Sequence, residues 1–261
     1  MSPIEHPMPR PLKIAYEYFA LYTSLALLGL ICLTWSVFAI PLYFILPRRL
    51  GTAIGRRGIM SGFRIYAWSL SITRTYRLDL RAVDLLRSGP PLILAPNHPC
   101  LIDALLILTR HPNIVCVMKS ALMRNVFLGS GSRLARYVRN DSSRQMVKES
   151  VAHLRDGGVL LLFPEGTRTT RNPINRLVSS VGLIAKHAKV PVQTLVIETD
   201  SPFLSKGWPL FKRPTLPIVY RVRLGKRFEP PSDVTAFTAE LDQYYRQELE
   251  HALQSRWLKS A

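Results

Sequence analysis

A stretch of thirty residues without a charged side chain constrains this chain more than any other feature. It runs from Tyr18 to Pro47, and about 20 apolar residues suffice to cross a bilayer. Pro41 divides the run, so a membrane-spanning helix and a segment that dips into one leaflet are both open. The arginines that follow have no acidic neighbour, and the positive-inside rule then predicts that the rest of the chain is cytoplasmic. They are Arg48, Arg49, Arg56, Arg57 and Arg64.

The charge balance predicts an anionic partner. The chain has 35 basic and 17 acidic residues, for a formal net charge of +18. The basic residues are scattered, without an aromatic-interleaved RNA-binding signature or a metal-finger spacing. Beside an apolar segment, attraction to anionic lipid head groups explains the charge, at about 1 kcal/mol per basic residue near the surface. We therefore expect an anionic membrane surface as a partner and no nucleic acid. The sequence has no Cys/His cluster and no glycine-rich nucleotide loop, so it predicts neither a metal nor a cofactor.

Apolar segments of strand length recur through the rest of the chain, and sequence of helix length separates them. Such alternation predicts an α/β fold with a largely parallel sheet flanked by helices. A capping box at Ser142-x-x-Gln145 and a stop at Gly157-Gly158 delimit one helix. Apolar residues at helical spacing from Phe237 to Trp257 predict a closing amphipathic helix. The predicted strands are Tyr76 to Leu80, Leu92 to Ala95, Ile114 to Met118, Val159 to Phe163, Val192 to Ile197 and Ile218 to Leu224.

A histidine and an aspartate follow the second strand at a spacing that suits proton transfer. In Asn97-His98-Pro99-Cys100-Leu101-Ile102-Asp103, the strand ends at Pro96 and Asn97 and leaves His98 in a loop at the sheet edge. Asp103 can accept a hydrogen bond from one ring nitrogen and fix the tautomer, which leaves the other nitrogen free to take a proton from a hydroxyl group. The structural alternative is a loop histidine that caps a helix.

A second candidate loop follows the strand predicted at Val159 to Phe163. Pro164-Glu165-Gly166-Thr167-Arg168 holds an acid, a flexible glycine, a hydroxyl group and an arginine. A guanidinium group matches a phosphate or carboxylate, and glycine lets backbone N–H groups approach an anion. The alternative is a Pro-x-Gly turn with a surface ion pair. In parallel sheets, ligands bind at the carboxyl ends of the strands, so we expect both loops to line one pocket.

Together, in this order and separation, the two motifs resemble the glycerolipid acyltransferase superfamily, which includes bacterial 1-acylglycerol-3-phosphate acyltransferase. The resemblance covers roughly Leu92 to Leu224 and implies a glycerol-phosphate acyltransferase-like fold. It implies that His98 is the general base and Asp103 its orienter. The family's acceptor loop, which binds glycerol phosphate, corresponds to Glu165, Gly166, Thr167 and Arg168.

Weaker blocks of the family are only half present. The segment from Lys119 to Gly129 looks like the family's lysine-led second block, which makes Lys119 a further candidate for substrate binding. That block usually closes on an arginine, where this chain has Asn140-Asp141. A Phe-Lys-x-Gly segment often follows the acceptor loop, but the matching place here reads Leu177-Val178-Ser179-Ser180. These departures bear on the acceptor more than on the chemistry, and they resemble acyltransferases of bacterial aryl polyene and related specialised lipid pathways.

With the uncharged run, the resemblance predicts an enzyme of the cell inner membrane with its catalytic domain in the cytoplasm. Residues 1–70 are expected to form the anchor and a basic interfacial segment, and residues 71–261 the acyltransferase domain. The family precedent includes an N-terminal helix pair that dips into one leaflet.

We therefore expect an O-acyltransferase that moves a fatty acyl group from acyl-CoA or acyl carrier protein to the hydroxyl of a lysophospholipid, with 1-acyl-sn-glycerol-3-phosphate as the leading candidate. One alternative is a different hydroxylated lipid of a specialised pathway, such as aryl polyene lipid synthesis. Another is a non-catalytic, membrane-anchored basic scaffold. A third is a covalent route through Cys100, two residues from His98, although Pro99 between them restricts the geometry.

Overall fold

Two long helices come first in the described part of the chain. The structure is a computed structural model that describes the backbone of residues 9–260 and the side chains of residues 9–251. Helix α1 (Arg10–Ile45) and helix α2 (Arg48–Ile72) are joined by Leu46 and Pro47. Pro41 does not divide the apolar run, because α1 continues through it; a proline inside a helix removes one backbone hydrogen bond, and here the turns on both sides persist. The predicted domain boundary after residue 70 falls inside α2, and the division itself stays a prediction.

A sheet of seven strands forms the centre of the molecule, with the order β1-β7-β6-β2-β5-β3-β4. The five strands from β6 to β4 run parallel to one another, whereas β7 is antiparallel to β6 and β1 follows the direction of β7. The predicted, largely parallel sheet is thus confirmed. The strands are β1 (Tyr76–Asp79), β2 (Leu92–Pro96), β3 (Ile114–Met118), β4 (Val138–Arg139), β5 (Val159–Leu161), β6 (Val192–Thr199) and β7 (Ile218–Phe228).

Helices of very different length connect these strands. The capping residue Ser142 accepts a hydrogen bond from the backbone N–H of Gln145 at 3.4 Å, and the helix that it starts ends before Gly157, which has a φ of +85°. The remaining helices are α3 (Arg81–Asp84), α4 (Asp103–Leu108), α5 (Ser120–Met123), α6 (Gly129–Leu134), α7 (Ser143–Arg155), α8 (Ser180–Ala188) and α9 (Val234–Ser260).

The centre of the sheet forms the core. All five residues of β2 are buried, although successive side chains point to opposite faces, so both faces of this strand are covered. Phe237, Leu241 and Leu249 on α9 are buried as the spacing predicts, whereas the predicted Leu253 and Trp257 lie outside the described side chains. From the same helix, the buried hydroxyl of Tyr245 donates to the carbonyl of Ala95 in β2.

The two N-terminal helices pack closely on each other and on α6. An added Cβ at Gly58 would lie 2.1 Å from the Trp35 ring of α1, and one at Gly55 would lie 2.6 Å from the backbone nitrogen of Ala135. Only residues without a side chain allow these approaches. Arg56 of α2 donates from Nε to the carbonyl of Ala135 at 3.1 Å. At least one of the predicted interfacial arginines therefore contacts the part of the chain that follows α2.

Candidate active site

His98 and Asp103 contact each other at the carboxyl end of β2. The His98 Nδ1 and Asp103 Oδ2 atoms are 2.7 Å apart. His98 lies in the loop after the strand, and Asp103 is the first residue of α4. The aspartate is fully buried, whereas 16% of the His98 side chain is exposed to solvent. Because Nδ1 faces the carboxylate, the tautomer with the proton on Nδ1 leaves Nε2 as a free acceptor.

Three further donors hold the Asp103 carboxylate in place. The backbone N–H of Cys100 donates to Oδ2 at 2.9 Å. The Tyr220 hydroxyl donates to Oδ1 at 2.7 Å, and the Cys100 thiol donates to the same oxygen at 2.9 Å. Burial, and then the nearby Asp103 charge, raises the pKa of both the Tyr220 hydroxyl and the Cys100 thiol well above their usual values. Both groups therefore stay protonated and act as donors to the carboxylate.

These contacts contradict the covalent alternative through Cys100. Its thiol faces Asp103 and not the imidazole, its side chain is buried, and its raised pKa disfavours the thiolate that a nucleophile needs. We find no geometry here for an acyl-cysteine intermediate.

An aromatic ring fixes the plane of the imidazole. The rings of His98 and Phe163 are stacked, with centroids 3.8 Å apart and an interplanar angle of 20°. Phe163 is the second residue after the end of β5, the neighbour of β2 in the sheet. Stacking on one side and Asp103 at Nδ1 together restrict the rotation of the His98 ring.

Glu165 joins the two loops that carry the candidate residues. Its Oε1 accepts from the backbone N–H of His98 at 2.9 Å and from the Thr169 hydroxyl at 2.7 Å. Its Oε2 accepts from the backbone N–H of Asn175 at 3.0 Å. Burial raises the pKa of the Glu165 carboxyl, and these three donors oppose that effect. Both carboxylate oxygens of Glu165 thus accept hydrogen bonds from the protein, and its assignment to the acceptor loop stays a prediction.

Arg168 extends from the same loop towards the segment after β6. Its Nη1 donates to the carbonyls of Leu204 and Ser205 at 2.9 and 3.0 Å. A guanidinium group has five N–H donors, and those on Nε and Nη2 take no part in these two contacts. The predicted phosphate ligand thus also holds a neighbouring loop.

The other candidates differ in their distance from the His98 loop. Gly166 is exposed and has a φ of +65°, a conformation that glycine adopts without strain, and Thr167 is partly exposed beside it. Both lie next to Glu165 in the turn. Lys119 is exposed after β3, at the same sheet edge. Because β3 lies two strands from β2 and neighbouring strands are about 4.8 Å apart, Lys119 begins roughly 10 Å from the His98 strand.

Sequence reasoning did not identify Tyr220, Phe163 or Asn175 as parts of this site. Tyr220 is 117 residues from Asp103 along the chain. Its only signal in the sequence is the alternation of apolar and charged side chains along β7, which places Tyr220 on the apolar face. Phe163 was assigned to a strand. For Asn175 the sequence carries no signal, although its backbone N–H donates to Glu165 and its side chain accepts from the backbone of Thr170 and donates to the Arg168 carbonyl.

The sheet and the His–Asp pair at the carboxyl ends of its strands define the class of protein: an α/β protein whose candidate site suits proton transfer. Residues 77–198 match the acyltransferase family, a range that includes both candidate loops. Over this range the chain is therefore similar to the acyltransferase family.

A solved structure has the same fold along nearly the whole chain. The crystal structure of the 1-acyl-sn-glycerophosphate (LPA) acyltransferase PlsC from Thermotoga maritima matches with a TM-score of 0.68 and 16% sequence identity. The match covers 94% of this chain and 98% of the Thermotoga chain. At this identity the likeness concerns the fold. No curated protein matches the sequence.

Proposed function

We propose that the enzyme transfers a fatty acyl group from a thioester, acyl-CoA or acyl carrier protein, to the hydroxyl of 1-acyl-sn-glycerol-3-phosphate. The observation that carries the proposal is the contact between His98 Nδ1 and the buried Asp103, which prepares Nε2 to accept a proton. The family match supports acyl transfer. The PlsC structure, whose protein acts on lysophosphatidic acid, supports this choice of acceptor.

In the proposed reaction His98 acts as general base. Nε2 takes the proton of the acceptor hydroxyl while its oxygen attacks the thioester carbonyl carbon, and Asp103 stabilises the imidazolium that forms. The tetrahedral intermediate then collapses, the carbon–sulfur bond breaks, and the imidazolium proton passes to the thiolate. The products are an ester and a free thiol, so no oxidant, metal or cofactor enters the balance.

Arg168 is proposed to bind the acceptor phosphate through the N–H groups that Leu204 and Ser205 leave free. The neighbouring Gly166 is exposed and has no side chain, so an anion can approach the backbone of the loop. Lys119 remains a candidate for the donor or acceptor side at a greater distance, and Glu165 is proposed to position the loop.

Replacement of Arg168 tests the acceptor. We expect Arg168→Ala to slow acylation of lysophosphatidic acid about tenfold more than acylation of an unphosphorylated lipid alcohol, because a hydrogen bond to a charged group contributes about 1.5 to 3 kcal/mol. Arg171→Ala, an exposed arginine of the same loop, is the control. The measurement is the rate with each acceptor and labelled acyl-CoA or acyl carrier protein.

The same panel separates the alternatives. Equal slowing of all acceptors by Arg168→Ala would assign this arginine a structural or donor-side role and end the phosphate proposal. Preference of the parent enzyme for another hydroxylated lipid would favour a specialised pathway. If no acceptor of the panel is acylated, the non-catalytic scaffold is favoured.

We also propose that α1 lies in one leaflet of the inner membrane without crossing it, with the catalytic domain in the cytoplasm. Helix α1 is long and apolar enough to span a membrane, and only 17% of its most apolar 18-residue stretch is buried. Yet both ends of α1 contact the rest of the protein. Near one end Glu17 pairs with Arg213, and near the other the Arg136 guanidinium lies 4.8 Å from the centroid of the Tyr43 ring. These contacts are about 39 Å apart along the helix axis, more than the roughly 30 Å of a hydrocarbon core.

A further inference from the structure

The loop that joins β6 to β7 exposes apolar side chains between basic ones. We call residues 206–213 the β6–β7 tip. Within it, Leu210 is 46% and Phe211 63% exposed. Lys206, Lys212 and Arg213 flank them, and residues 201–217 contain no acidic side chain. Exposed aromatic and aliphatic residues next to lysine and arginine are typical of segments that lie at a lipid surface.

The apolar surface of the tip continues onto α1. The Phe211 ring lies 6.1 Å from the Tyr22 ring, which in turn lies 6.4 Å from Tyr18. Tyr18 and Tyr22 are 42% and 50% exposed. Because tyrosine and tryptophan rings favour the level of the head groups, this row is expected at the same depth as the tip.

A buried carboxylate fixes the tip to α1. Glu17 is 1% exposed, although charged side chains are rarely buried without a partner. It accepts from Arg213 and from the backbone N–H of Leu216, the latter at 3.2 Å. The Arg213 guanidinium also lies 5.8 Å from the Tyr18 ring centroid. The tip therefore cannot change its depth independently of α1 without exposing or unpairing Glu17.

The same loop contacts both parts of the active site. The carbonyl of Leu204 accepts from Arg168 Nη1 at 2.9 Å and from the backbone N–H of Leu101 at 3.0 Å. Leu101 belongs to the His98 loop, and Arg168 to the acceptor loop. Leu210 is only six residues from Leu204, so the exposed tip and the acceptor site are parts of one short segment.

From these contacts we propose that the β6–β7 tip is a second membrane-contact surface, which inserts Leu210 and Phe211 into the anionic leaflet that holds α1 and so places the Arg168 side of the site at the lipid head groups. The proposal rests on the proposed membrane placement of α1. Its consequence is that a lysolipid can reach the acceptor loop from the leaflet without passing through water.

Fluorescence from a single site tests the insertion. Phe211→Cys in the full chain is labelled with a nitrobenzoxadiazole dye. Leu85→Cys is the control, because Leu85 is 76% exposed and follows β1 and α3, at the end of the sheet opposite to the β6–β7 loop. Cys32, Cys100 and Cys116 are buried, so labelling is selective. On phosphatidylglycerol–phosphatidylcholine vesicles, we expect a blue shift and quenching by acyl-chain nitroxide lipids at position 211 and neither at position 85. A dye at position 211 that stays as exposed as the dye at 85, on protein that floats with the vesicles, would overturn the proposal.

A kinetic comparison adds the functional consequence. We expect the pair Leu210→Ser and Phe211→Ser to raise the KM for a vesicle-borne acceptor several-fold and to leave the KM for the thioester unchanged, whereas Leu85→Ser changes neither. An unchanged acceptor KM would separate the tip from acceptor delivery and contradict the proposal. The fluorescence measurement needs no turnover, so a protein that does not acylate lysophosphatidic acid would refute the proposed acceptor while the dye still decides whether the tip inserts.

Discussion

Asp103 receives four hydrogen bonds from three residues, and this number explains why a buried carboxylate is tolerated beside a sheet of apolar strands. Three of the donors, His98 Nδ1 and the N–H and thiol groups of Cys100, come from the loop that leads to Asp103. The Tyr220 hydroxyl comes from β7. A buried charge without such donors would cost several kcal/mol. At the residue scale, the site therefore depends on a tyrosine that does not touch the reacting atoms.

We expect Tyr220→Phe to lower kcat about tenfold and to leave the KM for both substrates unchanged, because it removes one charge-assisted hydrogen bond from the group that orients His98. Tyr245→Phe is the matched control, since its buried hydroxyl bonds the Ala95 carbonyl and not Asp103. Both variants should melt at similar temperatures. A loss of rate that is equal in the two variants would show that Tyr220 acts only through packing.

The spacing of His98 and Asp103 allowed their contact to be predicted, because only four residues separate them and the loop can bring their side chains within hydrogen-bonding distance. The orientation of Glu165 and Arg168 could not be predicted in this way. Their partners lie in loops whose paths depend on tertiary packing, so a motif shows which groups are present but not which atoms they face. Glu165 turned inward towards Asn175 and Arg168 towards Leu204 for this reason.

At the scale of elements, the buried strands were predictable because apolar runs bounded by turn residues are an unambiguous local signal. The strand β4 was not predicted, since Val138–Arg139 has two residues and no pattern of that length is informative. Pro41 was expected to divide the apolar run, yet α1 continues through it. A proline's local preference was outweighed by the long helix around it and its packing on α2 and α6.

The junction of α7 and β5 predicts a pH dependence of stability. Burial lowers the pKa of His153 from 6.5 to about 4, and its Nε2 lies 3.2 Å from the Val159 carbonyl. Between pH 6.5 and 4, the His153 ring therefore stays neutral in the folded protein but takes up a proton in the unfolded chain. Stability from this group is present above pH 6.5 and is lost as pH falls towards 4, by at most about 3 kcal/mol, since one pKa unit corresponds to ~1.4 kcal/mol.

Denaturant unfolding in detergent at several pH values measures this effect. We expect His153→Gln, which can still donate to the Val159 carbonyl but does not titrate, to show a smaller loss of unfolding free energy between pH 6.5 and 4. His187→Gln, an exposed histidine at the end of α8, should behave like the parent protein. Parallel curves for parent and His153→Gln would refute the assignment.

At the scale of the whole molecule, most of the large exposed apolar side chains of the described residues lie on α1 and α2, and smaller groups lie at Leu122, Val126 and Phe127 and on the β6–β7 tip. A net charge of +18 adds attraction to anionic lipid, which salt weakens. The sequence predicted membrane association from the uncharged run. It left the mode of association open, because contacts such as Glu17 with Arg213 join residues 196 positions apart.

Placement in one leaflet predicts that both ends of α1 are on the cytoplasmic side. We expect Arg10→Cys and Arg48→Cys to react with a membrane-impermeant thiol reagent only when that side is accessible, as both residues are exposed and the described cysteines of the parent chain are buried. Modification of position 10 from the outer side alone, with position 48 modified from the inside, would show that α1 crosses the bilayer.

The central claim is that His98 is the base of a thioester-to-hydroxyl acyl transfer, and the most direct measurement is thiol release and ester formation by purified His98→Ala beside the parent enzyme, with His187→Ala as control. We predict that the parent enzyme and the control release one thiol for each ester formed, and that His98→Ala loses about 10²- to 10⁴-fold in turnover with an unchanged melting temperature. Near-normal turnover by folded His98→Ala protein would contradict the account.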